Sequence, residues 1–404
     1  MEQQIKDFTS SLDLDIRKTK YRFMDQKVTP DVLSFIADTV LNFSDVDNIE
    51  FTKNDIWESS YFTKNIPLIY NKPSPSNETT THEYDKFTAQ PLKTLSYAKI
   101  LIETQKNGKN FYKLNTKPFL QYIALSDKNA FIFLSIYLEK VLSDSGFINR
   151  IETYIGSYND GQFTKSNFYD LKKSFEKFII GSTNINGETE ARKIFPKVLN
   201  IFSVKNRVPG SRGGRVTESP YSYSDLMYNA INFRDLRKMK NVSRQETNQI
   251  KKSKKQYSDY EMEKAKTAIK KRHFPNSEVN DRYSHGAATQ VHHIFDKVNY
   301  SELKSTLENL ILITPQQHNE RAHPMNKTTV IDPGYQINCL LAKSNSVESS
   351  LINKDGFYSK ESFINVVKKG LGMEIKPEWS FEQIRSMLGT GNQILTCKSS
   401  LALH

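Results

Sequence analysis

The spacing of apolar positions predicts a mainly helical chain interrupted by two hairpin-like passages. Residues 1–29 are polar, reading as a short helix plus a connector. In Asp31–Asn42 (DVLSFIADTVLN), Val32, Phe35, Ile36 and Val40 recur at helical spacing and mark one apolar face. Thr52–Ser59 opens with a capping-type Thr and predicts a second short helix. The polar run Lys72–Thr81 predicts a loop, and Gln90–Ala98 a third helix with Pro91 in its first turn. Period-two alternation then takes over in Ile100–Thr104 and Phe111–Leu114, around Lys106-Asn107-Gly108-Lys109. Asn-Gly at that place predicts a tight hairpin. Further helices are predicted over Lys117–Leu125, Ala130–Ser145, Asn167–Ile180 and Glu188–Phe202, and later over Ser359–Gly370 and Ser380–Met387. Between these, Ala288–Phe295 and Glu308–Thr314 read as apolar strands, and Pro315 starts a helix carrying Gln316 to Ala322. The fold class expected is α+β, mostly helical.

Composition narrows the setting. Lys+Arg number 57 against 45 Asp+Glu, a surplus of 12, and the pI is about 9.3. Such a surplus suits a polyanionic partner, most simply nucleic acid. Only Cys339 and Cys397 are present, so neither a disulfide framework nor a Cys-type structural zinc site is expected, and a reducing cytoplasm fits. The most apolar segment, Ala130–Leu138 (AFIFLSIYL), is too short to span a bilayer, and no membrane partner is expected. No GxxxxGK[ST] run occurs, so no nucleotide cofactor is expected.

Three helices followed by a β-hairpin resembles the winged helix-turn-helix in element order. The resemblance implies a DNA-recognition domain over residues 1–120. Gln90 and Lys93 would lie on the groove-reading helix, with Lys106, Lys109 and Lys113 on the wing against phosphates. Residues 121–235 are expected to be a helical connector. Within them Val204–Val216 (VKNRVPGSRGGRV) reads as a flexible loop whose Arg207, Arg212 and Arg215 either contact a phosphate backbone or decorate an exposed linker. From Arg237 to Arg272, thirteen Lys/Arg face four Asp/Glu: a solvated helix face or a DNA-contacting one.

The candidate chemistry sits between Thr289 and Thr328 (TQVHHIFDKVNYSELKSTLENLILITPQQHNERAHPMNKT). Four of the eight histidines fall at 292, 293, 318 and 323. Imidazole both binds divalent metals and transfers protons near neutral pH. On a strand, His292 and His293 point to opposite faces, so one can hold a metal while its neighbour faces water. His-His-Ile, then Asn-Leu-Ile-Leu-Ile-Thr-Pro-x-x-His, then a further His before Pro, resembles the HNH (ββα-metal) nuclease superfamily. The likeness is to colicin-type DNases and, more closely, to HNH-type type II restriction endonucleases.

That resemblance covers about 40 residues. It implies a nuclease domain over residues 236–335 and leaves 336–404 as a helical extension. It assigns His292, His318 and His323 as ligands of one divalent metal and His293 as general base. Asn309 would be the residue that bonds across the inter-strand loop and positions His293. Magnesium is the ion expected, with manganese, nickel or zinc as alternatives. The chain departs from the family in two ways. It lacks the paired cysteines of many members, so Tyr300, Leu303 and Leu307 must pack the loop. Its last two histidines are five residues apart where four is usual, and five adds about 100° of rotation on a regular helix. The expectation is that the helix ends at His323, ahead of Pro324, and swings the ring back. Arg321 is a candidate for the scissile phosphate, Asp296 for a hydrogen bond to a histidine, and His285 is expected to be structural or exposed.

The function expected is a sequence-specific, metal-dependent endonuclease of double-stranded DNA, of the type II restriction class, working as a homodimer or by sequential nicking. A nonspecific, toxin-like or homing nuclease is the alternative within the enzyme class. A DNA-binding regulator with an inactive HNH-like unit is the alternative outside it.

Overall fold

The computed structural model describes residues 1–43, 49–70, 81–228, 244–323 and 331–390, without the side chains of 81–83 and 244–255. The loop expected at 72–80, residues 237–243 of the basic run, Pro324 and Cys397 lie outside the described residues. The chain is mostly helical. Among the described residues its strands form three two-stranded antiparallel sheets. None of the described helices is long and apolar enough to cross a membrane. Two compact units divide at Tyr257/Ser258.

The first unit, Met1–Tyr257, opens with α1 (Glu2–Ser10), α2 (Ile16–Thr19) and α3 (Pro30–Leu41). The expectation of one apolar face on α3 understates its burial. Leu33, Ser34 and Ala37 are buried along with Val32, Phe35, Ile36 and Val40, so the helix is covered nearly all round. Its polar groups are satisfied internally: Thr39 Oγ1 donates to the Phe35 carbonyl at 2.8 Å and Ser34 Oγ to the Ala124 carbonyl at 3.1 Å.

α4 (Lys53–Trp57) starts at the expected Thr52, in a capping box with Asp55. α5 (Ser60–Tyr70), which the sequence reading missed, follows, then α6 (Thr81–Tyr97). α6 begins well before Gln90 and carries Pro91 in its interior, not in its first turn. β1 (Leu101–Lys106) and β2 (Lys109–Leu114) form the expected hairpin, paired from Leu101–Leu114 to Lys106–Lys109. Its two-residue turn has positive φ at both Asn107 and Gly108, 50° and 74°, which only such residues adopt at low cost. Phe51 bridges to Tyr112 beside this hairpin, with backbone bonds of 2.9 and 2.7 Å.

α7 (Lys117–Leu125), α8 (Asp127–Asp144), α9 (Ile148–Asn159), α10 (Lys165–Ser182) and α11 (Glu188–Asn206) complete the bundle. α3 lies against α6, α7 and α8, and α11 against α8, α9 and α10. Val204–Val216 is not the flexible loop expected. It is the end of α11 followed by a second hairpin, β3 (Pro209–Arg212) and β4 (Arg215–Pro220), turned by Gly213-Gly214.

The boundary between the units falls inside α12 (Arg244–His273). Within the second unit α12 buries Met262, Ala265 and Ile269. Part of the charge run there is paired, with Lys264 on Glu261, Lys266 on Glu263 and Arg272 on Asp355. β5 (Gln290–His293) and β6 (Leu310–Ile313) pair antiparallel, and α13 (Pro333–Ile352), α14 (Lys360–Leu371) and α15 (residues 381–390) enclose them. All four β6 residues are fully buried, each worth about 1.5–3 kcal/mol of apolar burial. The far edge of the Phe295 ring abuts Gly370, where an added Cβ would come within 2.1 Å of it. Leu303 is in this core, with Tyr300 and Leu307 packed against it, the packing expected for this loop.

Candidate metal centre

The expected ββα unit is present, and its helix starts in a manner written in the sequence. Thr314 Oγ1 accepts the Gln317 N–H at 3.1 Å, while Gln317 Oε1 accepts the Thr314 N–H at 3.0 Å. With Pro315 at the first helical position, Thr-Pro-x-Gln is a capping box. Gln317 is fully buried and also donates to the Val279 carbonyl and the Asp281 carboxylate, at 2.8 and 2.9 Å. It therefore pins the helix start to the segment ahead of β5.

His292, His318 and His323 converge. One ring nitrogen from each lies within 4.8 Å of the other two, and ring centroids are 5.5, 5.0 and 4.7 Å apart. Nitrogens sharing an ion at bond lengths of about 2.0–2.1 Å sit roughly 3–3.5 Å apart, so small ring rotations close the set. His292 is 3% exposed, and its Nε2 has no hydrogen-bond partner among the described residues. An orphaned buried nitrogen beside two other imidazoles fits a cation. Burial, reinforced by His323, His318 and His293, holds the His292 ring neutral down to about 3, and burial also lowers His318. Neutral imidazole is the form that ligates. His318 Nδ1 lies 3.1 Å from Asn319 Oδ1, so as the donor there it leaves Nε2 as the ligating lone pair.

The five-residue spacing is resolved by a π-helical turn over Gln317–Ala322. The His323 N–H donates to the His318 carbonyl at 3.1 Å, an i→i+5 bond. In such a turn the fifth residue, not the fourth, completes the revolution, which brings both rings to one side. The expected helix end at His323 is correct, since its φ of −124° and ψ of 81° leave the helical region. The ring nevertheless reaches the site because the preceding turn is wide.

Asn309 is fully buried. Its Oδ1 accepts the Phe295 N–H at 2.9 Å, and its Nδ2 donates to the carbonyls of Phe295 at 3.0 Å and Leu303 at 3.2 Å. It thus staples both ends of the inter-strand loop. The next carbonyl, Lys304, lies 3.0 Å from His293 Nε2. A carbonyl only accepts, so Nε2 carries the hydrogen and Nδ1 keeps the lone pair. His293 is half-buried on the strand face opposite His292. Desolvation lowers its pKa, and the Lys304 carbonyl acts in the opposite direction.

The other candidates are placed differently. Among the described residues Asp296 bonds to no histidine; it accepts from the Val298 and Asn299 backbone and the Asn299 side chain, closing its own turn. His285 is exposed, as expected. Arg321 is half-buried, with its guanidinium 5.7 and 5.6 Å from the Tyr283 and Tyr335 rings.

Gln90 Oε1 is occupied by the Lys27 N–H at 2.8 Å, and half-buried Lys93 lies 6.0 Å over the Tyr21 ring. Lys106 pairs with Glu50, whereas Lys109 and Lys113 are exposed on β2. Arg207 caps α11 with positive φ, Arg212 pairs with Asp225, and Arg215 is exposed on β4.

One supporting network escaped the sequence reading. Glu278 binds the outer edge of β6, its N–H donating to the Leu312 carbonyl at 3.0 Å and its Oε1 accepting the Leu312 N–H at 2.9 Å. Its other oxygen meets the fully buried Lys343 ammonium at 2.6 Å. Partners this far apart in sequence leave no local signal. Gln317 was missed as well, although Thr-Pro-x-Gln is a local capping-box signal that could have found it.

Comparison with known protein families, curated proteins and solved structures finds no match to this chain.

Proposed function

We propose that the chain is a metal-dependent DNA endonuclease of the ββα-metal type, sequence-specific in the manner of a type II restriction enzyme. The observation that carries this reading is the convergence of His292, His318 and His323 around the unpartnered His292 Nε2, with His293 turned to the other strand face. A divalent ion held by the three rings would supply a Lewis acid for charge on the phosphate and the departing 3′ oxygen. Three imidazoles favour a transition-metal ion such as Mn²⁺, Ni²⁺ or Zn²⁺ in affinity over Mg²⁺, which prefers oxygen donors.

His293 Nδ1 takes a proton from the attacking water. The Lys304 carbonyl, already bonded to Nε2–H, favours the imidazolium that results. Asn309 is a positioning residue, acting through the loop carbonyls and not on substrate.

The first unit supports a recognition role by its size and by the order helix, bridge at Phe51, helices, hairpin, which suits a winged helix. In that reading Lys109 and Lys113 of the hairpin are the phosphate-contacting residues; Gln90 is committed to Lys27 and does not read bases.

Digestion of a supercoiled plasmid with Mg²⁺, Mn²⁺, Ni²⁺ or Zn²⁺ tests the proposal. Discrete bands are expected. A smear would indicate a nonspecific nuclease, and a gel shift without cleavage would indicate a binder. His293→Ala should lower cleavage by about 10²–10⁴-fold with metal binding retained; full cleavage in that variant overturns the assignment.

A further inference from the structure

We propose that Arg282 and Arg321, both set on the Tyr283 ring, grip the DNA backbone beside the metal centre, at phosphates flanking the one to be cut. The inference rests on the nuclease reading and deepens it by naming where the strand is held.

The two guanidiniums meet on one ring. That of Arg282 lies 4.8 Å from the Tyr283 centroid and that of Arg321 lies 5.7 Å from it. Like charges brought together in this way repel, and among the described residues no carboxylate pairs with either. The contacts of Arg282 are to the Tyr283 ring and hydroxyl, and those of Arg321 are to the rings of Tyr283 and Tyr335. Asp281, next to Arg282 in the chain, commits its Oδ1 to the Tyr283 N–H at 2.8 Å and to Gln317 Nε2 at 2.9 Å.

A ring satisfies the face of a guanidinium and leaves its in-plane N–H donors open. Arg282 uses one of them, on Tyr283 Oη at 2.7 Å. Arg321, half-buried, makes no hydrogen bond to the described residues, so all five of its donors are available. Those open edges are the ones that fork onto phosphate oxygens.

The pair is fixed to the helix that carries the metal ligands. The Tyr283 carbonyl accepts Thr314 Oγ1 at 2.8 Å, and Thr314 caps that helix. Arg321 itself lies in the wide turn between His318 and His323. Those two histidines are one revolution apart, so Arg321, between them, leaves the turn on a different side. It addresses a phosphate next to the one at the metal and not the scissile phosphate. Backbone contacts of this kind set the register of a strand without reading its sequence.

The test is an anisotropy titration of the full-length chain in EDTA with a random-sequence duplex of about 30 base pairs, between 50 and 200 mM KCl. Polyglutamate serves as the carboxylate polyanion. Arg282→Met and Arg321→Met should each weaken duplex binding by about threefold to tenfold. Each should also make log K against log salt shallower by about 0.9. With Mn²⁺, each should cut plasmid with a raised KM and a kcat near wild type, because a contact to a flanking phosphate is made equally in ground and transition states.

The proposal is overturned if either variant, melting as the wild type does, keeps wild-type affinity and slope, or loses kcat with KM unchanged. It is equally overturned if polyglutamate binds as tightly as the duplex and is weakened as much by the substitutions. Should Arg321→Met fail to fold, Arg282→Met, altered at an exposed side chain, decides by the same criteria. A parent chain that binds and cuts the DNA in these assays keeps the nuclease reading whatever the variants do; one that does neither ends both.

Discussion

The β1–β2 and β5–β6 hairpins share antiparallel pairing and close in opposite ways. β1–β2 is turned by Asn107-Gly108 alone, two residues whose backbone freedom supplies the whole reversal. β5–β6 is separated by residues 294–309, and its closure is long-range: Asn309 bonds to Phe295 and Leu303, while Phe295 rests on Gly370. A tight turn suffices where a hairpin only has to exist. A stapled loop is needed where it must also deliver a carbonyl to a fixed place, here Lys304 to His293.

The contrast can be broken by removing each device. Asn309→Ala leaves the buried Phe295 N–H and carbonyl unpaired, at about 1–3 kcal/mol each, while the Leu303 carbonyl keeps the Thr306 N–H, so a loss of about 2 kcal/mol or more is expected in denaturant unfolding of the second unit. Cleavage should fall with it. Stability within 1 kcal/mol of wild type would show that the staple is dispensable. Gly108→Ala forces a Cβ into positive φ, and about 1–2 kcal/mol is expected, with metal binding unaltered. A metal defect in that variant would contradict the separation of roles.

A third change acts on the wide turn between His318 and His323. Deleting the exposed Glu320 turns the i→i+5 spacing of His318 and His323 into i→i+4. A regular α-turn should then present the same two rings, and metal affinity is expected to stay within about tenfold. Loss of binding would mean that the wide turn does more than match phase.

The two hairpins also explain what could be read from the sequence. Asn-Gly is a local signal and located β1–β2 directly. Gly213-Gly214 carries the same kind of signal for β3–β4, where the surrounding arginines suggested a loop instead. In the second unit the strands were legible as short apolar runs, all four residues of β6 being buried, and His292, His293, Asn309 and His318 were legible because they lie within or beside those runs in a local pattern. The route by which His323 arrives was not. A π-turn has no local composition of its own, and the neighbouring Pro324 argued for a helix stop. α5 and the full length of α6 were missed because Pro67 and Pro91 punctuate their pattern, whereas tertiary burial of Phe62, Ile66 and Phe87 overrides that local penalty. Glu278 and Lys343 depend on contacts no sequence window contains.

The proposed chemistry depends on three imidazoles distant in the chain holding one cation between them. Calorimetric titration with Ni²⁺ or Zn²⁺ of the wild type and of His292→Ala, His318→Ala and His323→Ala tests it most directly. One ion per chain is expected, with affinity falling by at least about 100-fold in each folded variant. Wild-type affinity in all three, or no binding by the parent chain, would contradict the account.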